Sequence, residues 1–167
     1  MMGLYATPNS LNQITKWYRE EHDLVGHKLR KEGALAILLP VHSTPSLYAV
    51  EVHHLSPKQG VTLFFPSHNP PLLTAYSSIP CSLYLCFPRL DRHVLVEGFL
   101  NPLMEAERIL LWRSLSSKRK VHYLEKAGDT LSPPPSFRPC QLLPEKSTFS
   151  QYEGHSLHAY SLDCRIK

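Results

Sequence analysis

The chain has 167 residues and a formal net charge of +4, with 43% apolar and 19% charged residues. That is the length and composition of one globular domain with a sizeable core, and it excludes a disordered chain or a strongly basic nucleic-acid binder. No apolar run approaches the roughly 20 residues of a membrane helix. The one cationic run, Lys118-Arg119-Lys120, reads as a solvated helix end, with a phosphate or nucleic-acid patch as the alternative.

Residues 1–9 read as a loose leader. Ser10-Leu11-Asn12-Gln13 has the form of a capping box, in which a hydroxyl and an amide side chain satisfy first-turn donors. It opens an amphipathic helix over about residues 11–22, with Leu11, Ile14, Trp17 and Tyr18 on one face. Residues 34–39, 47–53 and 61–65 read as strands, separated by turn chemistry at 43–46 and 56–60. The prolines of 66–71 lack amide donors and exclude regular structure there. Residues 72–78 are expected as a short helix.

Residues 82–87 and 93–100, joined by 88–92, read as a hairpin with one buried face, because Val94 and Val96 alternate with Leu95 and Glu97. Asn101-Pro102 predicts a helix start. Leu103, Ala106, Leu110 and Ser114 would form its apolar face, widened by Ile109, Leu111 and Trp112, with an end near 118–120. Residues 125–135 read as a Pro-rich linker inside the domain. Residues 141–143, 148–152 and 157–166 are β-prone, and in the last His158, Tyr160 and Leu162 share a face.

The four cysteines, Cys81, Cys86, Cys140 and Cys164, form no C-x-x-C and no zinc-finger spacing. Cys86 and Cys164 lie in apolar runs and are expected as small core residues. No basic-then-apolar leader marks a signal peptide, so a reducing cytoplasm is the expected compartment. Fifteen prolines against seven glycines favour many strand ends over long helices. Seven or eight short strands with one or two peripheral helices predict a single, mainly β domain over 1–167, closed or nearly closed as a barrel.

Leu90-Asp91-Arg92-His93-Val94-Leu95-Val96-Glu97-Gly98 resembles the L-x-R-Q-V-x-V-x-G strand of pyridoxamine 5′-phosphate oxidases. Pro8 to Trp17 resembles that family's P-x-x-L-F-x-x-W helix, with Trp17 matching. Residues 34–39 resemble its M-x-L-A-T-V strand, 61–67 its G-F-V-F-Y-T-N strand, 133–144 its late Trp-Gly-Gly segment, and 156–160 its final R-L-H-D-R. The resemblance runs over almost the whole chain. It implies an antiparallel split β-barrel of Greek-key type with peripheral helices, and a homodimer with FMN at the interface.

The family holds the flavin with an R-x-V-L-L-K strand followed by S-R-K. Here the strand reads Tyr48-Ala49-Val50-Glu51-Val52-His53, so Tyr48 and His53 take the Arg and Lys positions and an acid has entered. The S-R-K position falls on Pro70-Pro71-Leu72. The resemblance also puts His93, Gln151 and Tyr160 at flavin-pocket positions, with Ser150 where the family has tryptophan. It puts Leu111, Leu115, Arg119, Ser156 and His158 at substrate-pocket positions. A charge-assisted contact is typically worth about 1.5–3 kcal/mol, so losing several predicts weak or absent FMN binding. The expectation is a protein without vitamin B6 oxidase activity and with a binding or structural role. The alternatives are an FMN-dependent oxidoreductase with a rebuilt pocket, or a haem- or metal-binding protein using His53, His93 and His158. No nucleophile constellation, P-loop or H-E-x-x-H is present; no catalytic residue and no metal ligand set is assigned, and no nucleic acid or membrane is expected as a partner.

Overall fold

The computed structural model describes residues 10–25, 34–40, 48–56, 59–65, 78–123 and 132–163. Ten elements follow in order: α1 (Ser10–Val25), β1 (Ala34–Pro40), β2 (Tyr48–Ser56), β3 (Gly60–Phe64), β4 (Ile79–Phe87), β5 (Arg92–Pro102), α2 (Glu105–Ser114), α3 (Ser117–Lys120), β6 (Cys140–Glu153) and β7 (Ser156–Asp163). The strands form one antiparallel sheet in the order β3-β2-β1-β4-β5-β6-β7. A further β3–β6 pairing closes six strands into a barrel and leaves β7 outside it. Closure removes the free edges that an open sheet would carry. This is the split-barrel architecture that the strand pattern and motifs imply.

β6 is where the barrel splits. Its first residues, Cys140, Gln141 and Leu142, pair with β3, and its stretch from Lys146 to Glu153 pairs with β7. Opposite β5, the register shifts between Glu97, paired with Lys146, and Gly98, paired with Pro144. Glu145 is the extra residue of a β-bulge. The sequence reading of two separate segments here is corrected to one strand: the bulge breaks the alternation on which that reading depended.

The core fills the barrel with Leu38, Val50, Leu63, Leu83, Val94, Val96, Leu100 and Leu142, all fully buried. α1 packs on this core through Leu11, Ile14 and Trp17. The Trp17 ring meets Phe87 at 5.8 Å and Phe149 at 5.1 Å, both edge-on, a favoured geometry for aromatic pairs. Arg92 lies over Trp17 at 4.9 Å and forms an ion pair with Glu20. The Arg89 amide donates to Glu21 Oε1 at 3.2 Å. α1 is thus tied to the β4–β5 turn, where Asp91 is left-handed (φ 51°).

Several expectations are corrected. Asn101-Pro102 ends β5 and does not start a helix; these residues pair with Gln141 and Cys140, and α2 begins at Glu105 with Met104 as its N-cap. The expected helix face is also wrong. Leu110 is 66% exposed, and Trp112 is the buried residue of α2. The reason lies outside the helix: Arg108 Nε donates to the Phe137 carbonyl at 2.7 Å and Nη2 to the Pro134 carbonyl at 2.6 Å. Those bonds set the rotation of α2, so Trp112 and Leu115 meet Phe64 and Phe137 in a second, smaller core. The helical stretch also divides, with α3 capped by the Ser116 hydroxyl accepting from the Arg119 amide. Cys86 is exposed, whereas Cys81 and Cys140 are buried; the apolar run around Cys86 is a strand whose even positions face outward. The expectations for 1–9, 43–46, 66–77 and Cys164 lie outside the described residues, as does the helix expected over 72–78 apart from Ser78. Among the described residues no helix is long and apolar enough to cross a membrane.

Candidate functional site

β2 carries a second irregularity. Val52 pairs with Leu63 and His54 with Thr62, so His53 is an extra residue in the strand. Adjacent strand residues ordinarily face opposite sides, and that rule separates His53 from His54 on paper. The bulge overrides it, and both imidazoles line one cleft. The cleft has a volume of about 290 Å³ and is completed by Thr62, Gln141, Leu111 and Leu103, with Glu107 also lining it. Gln141 Nε2 donates to the Gln59 carbonyl. No Lys or Arg lines the cleft among the described residues.

Beside it, the His53 ring stacks on Phe64 at 4.3 Å, and the Arg119 guanidinium lies 5.5 Å from the same ring. Arg119 Nη2 forms an ion pair with Glu51 Oε1. That oxygen is buried, with no other hydrogen-bond partner among the described residues. Burial holds the His53 imidazole below its ordinary pKa, and neighbouring His54 lowers it further. Burial thus disfavours the charged form of His53.

The sequence-predicted positions divide into groups. His53, Leu111, Leu115 and Arg119 gather around Phe64 and Trp112. Tyr48 stands at the start of β2, its ring 6.4 Å from Phe65. Gln151, His158 and Tyr160 lie on β6 and β7: Gln151 pairs with His158, and the Tyr160 ring stacks on Phe149 at 5.2 Å. Partial burial pushes the Tyr160 hydroxyl up, and Arg92 opposes this. Ser156 sits exposed at the β6–β7 turn, and His158 Nε2 is 3.6 Å from Glu153 Oε2. His93 is on the opposite face of the sheet from Gln151. Its Nδ1 faces the Tyr84 hydroxyl at 2.5 Å, and burial raises the Tyr84 pKa. His53, His93 and His158 are therefore not brought together, and no cluster of three or more His, Cys, Asp or Glu side chains among the described residues is placed to hold a metal.

The comparisons with known proteins agree with this geometry in fold. PhzG from Burkholderia lata, solved in complex with tetrahydrophenazine-1-carboxylic acid, superposes with a TM-score of 0.62 at 16% identity, covering 98% of this chain and 97% of that one. A pyridoxamine 5′-phosphate oxidase-related, FMN-binding protein from Nostoc punctiforme gives 0.69 at 14% identity, covering 97% and 98%. The fold is that of the pyridoxamine 5′-phosphate oxidase-like split barrels. A protein of the pyridoxinephosphate oxidase family from Clostridium acetobutylicum, related to general stress protein 26, gives 0.52 at 10% identity, covering 90% and 92%. No protein-family model and no curated protein matches the sequence.

FMN, the cofactor this split-barrel fold implies, carries a phosphate dianion that needs several cationic or amide donors. The described residues around the cleft do not fit that requirement. The cleft holds two imidazoles, that of His53 with its charged form disfavoured by burial, and a carboxylate. Beside it, among the described residues, Arg119 is paired with Glu51. The residues that sequence reasoning missed are His54, Thr62, Glu107 and Gln141. No signal along the chain marks them, because they meet only through the bulge at His53 and the β3–β6 closure.

Proposed function

We propose that this chain is a divergent relative of the pyridoxamine 5′-phosphate oxidases that does not oxidise vitamin B6 phosphates and serves as a binding or structural protein. The observation that supports it most is the Glu51–Arg119 ion pair. By the resemblance, Arg119 stands at a substrate-phosphate position, and the other two positions on that stretch are Leu111 and Leu115, which offer no charge. Leu115 is also buried in the second core. The expected result is no hydrogen peroxide release when pyridoxamine or pyridoxine 5′-phosphate is added with FMN and oxygen. Turnover above the protein-free rate would refute the reading.

The likeness to FMN-binding proteins favours a second reading, a flavin-dependent oxidoreductase with a rebuilt pocket. A purified protein carrying a flavin absorption band would select it.

The same reading includes a homodimer. The outer face of β1, β4, β5 and β6 carries Ile37 (42% exposed), Phe99 (37%) and Leu143 (38%), with Tyr84 in the same sheet face. This apolar sheet face supports that part of the reading. Sedimentation is expected to give a dimer at micromolar concentration and Phe99→Asp to shift it toward monomer. A monomeric wild type removes this part of the reading.

A further inference from the structure

This inference rests on the homodimer reading above and gives that association a control. On the outer face of the sheet, Tyr84 of β4 stands opposite Ile37 on one side and Leu95 on the other. Its hydroxyl lies 2.5 Å from His93 Nδ1, and the two rings are close to parallel, 20° apart with centroids at 5.7 Å. Tyr84, His93 and Leu95 are all half-buried. Burial raises the Tyr84 pKa, and Cys86 and Tyr152 add to the effect, so the phenol keeps its proton at neutral pH. A contact this short fits an O–H donor better than a ring N–H, whose bonds to oxygen run about 2.7–3.2 Å. Tyr84 therefore donates and His93 Nδ1 accepts. An Nδ1 that accepts belongs to a neutral ring, with its proton on Nε2.

Acid changes this arrangement. Imidazole is the side chain that ordinarily gains its charge between about pH 5 and 8. With a second proton on His93, both ring nitrogens donate, and the Tyr84 hydroxyl has to turn and accept. Around the ring, β4 presents Tyr84 and Cys86, and β6 presents Ser150 and Tyr152. On β5 itself Glu97 shares the face beyond Leu95, with Lys146 opposite it in register. Arg92 and Gln151 belong to the other face, Arg89 and Asp91 to the β4–β5 turn, and Glu21 of α1 bears on Cys86. No ion pair among the described residues joins His93 to an acid.

We propose that His93 makes association through this face pH-dependent: the neutral Tyr84–His93 pair is compatible with a buried apolar interface, and the imidazolium is not. In the free protomer the charge faces water. In the dimer it is desolvated without a counter-ion, which is costly. Protons therefore bind the protomer more tightly than the dimer, and acid drives dissociation. A homodimer carries two such rings, so its dissociation constant can rise by up to about a hundredfold per pH unit in the titrating range.

Sedimentation equilibrium of the full chain at about pH 8 and about pH 5.5, at constant ionic strength, reads this effect. The wild-type dissociation constant is expected to be about tenfold or more higher at the acid pH, with the circular dichroism spectrum unchanged. His93→Gln carries no charge at either pH and should hold the two values within about threefold. His93→Leu is the second variant, with the same expectation. His155→Gln removes an exposed histidine in the β6–β7 turn and should keep the full step. A wild-type dimer equally tight at both pH values overturns the proposal, as does dissociation that comes only with loss of the fold. A step that persists in the His93 variants, or disappears in His155→Gln, overturns it too. A wild type that is monomeric at the higher pH defeats the homodimer reading itself, and this inference with it.

Discussion

Gly98→Ala is expected to destabilise the protein by about 3 kcal/mol, the upper end of what overpacking a tight site costs. A Cβ at Gly98 would stand 2.1 Å from the Leu143 carbonyl oxygen and 2.9 Å from Leu143 C and Pro144 Cα. Every one of those atoms is backbone, so no rotamer change relieves the clash. They also belong to the β6 bulge opposite Gly98, where two strands approach closely. Gly154 supplies the control. It lies in the β6–β7 turn at φ 62°, and an added Cβ meets nothing within 4 Å. Gly154→Ala therefore carries only the strain of a left-handed residue, about 1–2 kcal/mol. Urea unfolding of the two variants side by side measures the difference. Equal midpoints would show that the bulge can open without cost.

Trp112→Ala is expected to cost about 3–5 kcal/mol, the range for truncating a large buried aromatic. Trp112 is fully buried, packs on Phe137 at 5.0 Å and has the Lys120 ammonium 5.5 Å from its ring. A domain of this kind has about 5–15 kcal/mol in total, so the loss is a large share. The damage should centre on α2, α3 and the segment around Phe137, because Trp17 and the barrel interior belong to a different cluster. Since the chain has two tryptophans, Trp17 becomes the sole indole reporter in this variant. Its emission is expected to remain that of a buried ring in the absence of denaturant, while the urea midpoint falls. A midpoint close to wild type would mean that α2 is held by the Arg108 bonds and not by the second core.

The two variants mark where the sequence was readable and where it was not. The β4–β5 hairpin shows in Val94, Val96 and Gly98, because regular alternation and a short turn are local properties. The apolar face of α1 shows in Leu11, Ile14 and Trp17 for the same reason. The rotation of α2 is not local. It is set by Arg108 reaching the carbonyls of Pro134 and Phe137, residues 26 and 29 positions further on, and no helical periodicity encodes that. His53, Leu111 and Arg119 were singled out by the family resemblance, and the fold places them in or beside the cleft. Glu51 was legible as an intruding acid, but its pairing with Arg119 depends on where α3 lands. His54 was hidden by the assumption of unbroken alternation.

The bulge at Glu145 has a consequence for how this strand can change in length. Before it, Cys140, Leu142 and Pro144 are buried; after it, Ser147 and Phe149 are. The inward positions switch from even to odd numbers at that point, so one strand serves β3 with one parity and β7 with the other. Losing the one extra residue would leave Pro144 and Lys146 as neighbours, still opposite Gly98 and Glu97, with both halves facing as before, whereas gaining a residue without a second bulge would turn one half inside out. The length changes in β6 that keep both faces are therefore loss of this bulge residue, steps of two, or changes that build a compensating bulge. A lineage descending from this chain should keep Leu142 and Phe149 inward, at the present spacing or one residue closer where the bulge is lost.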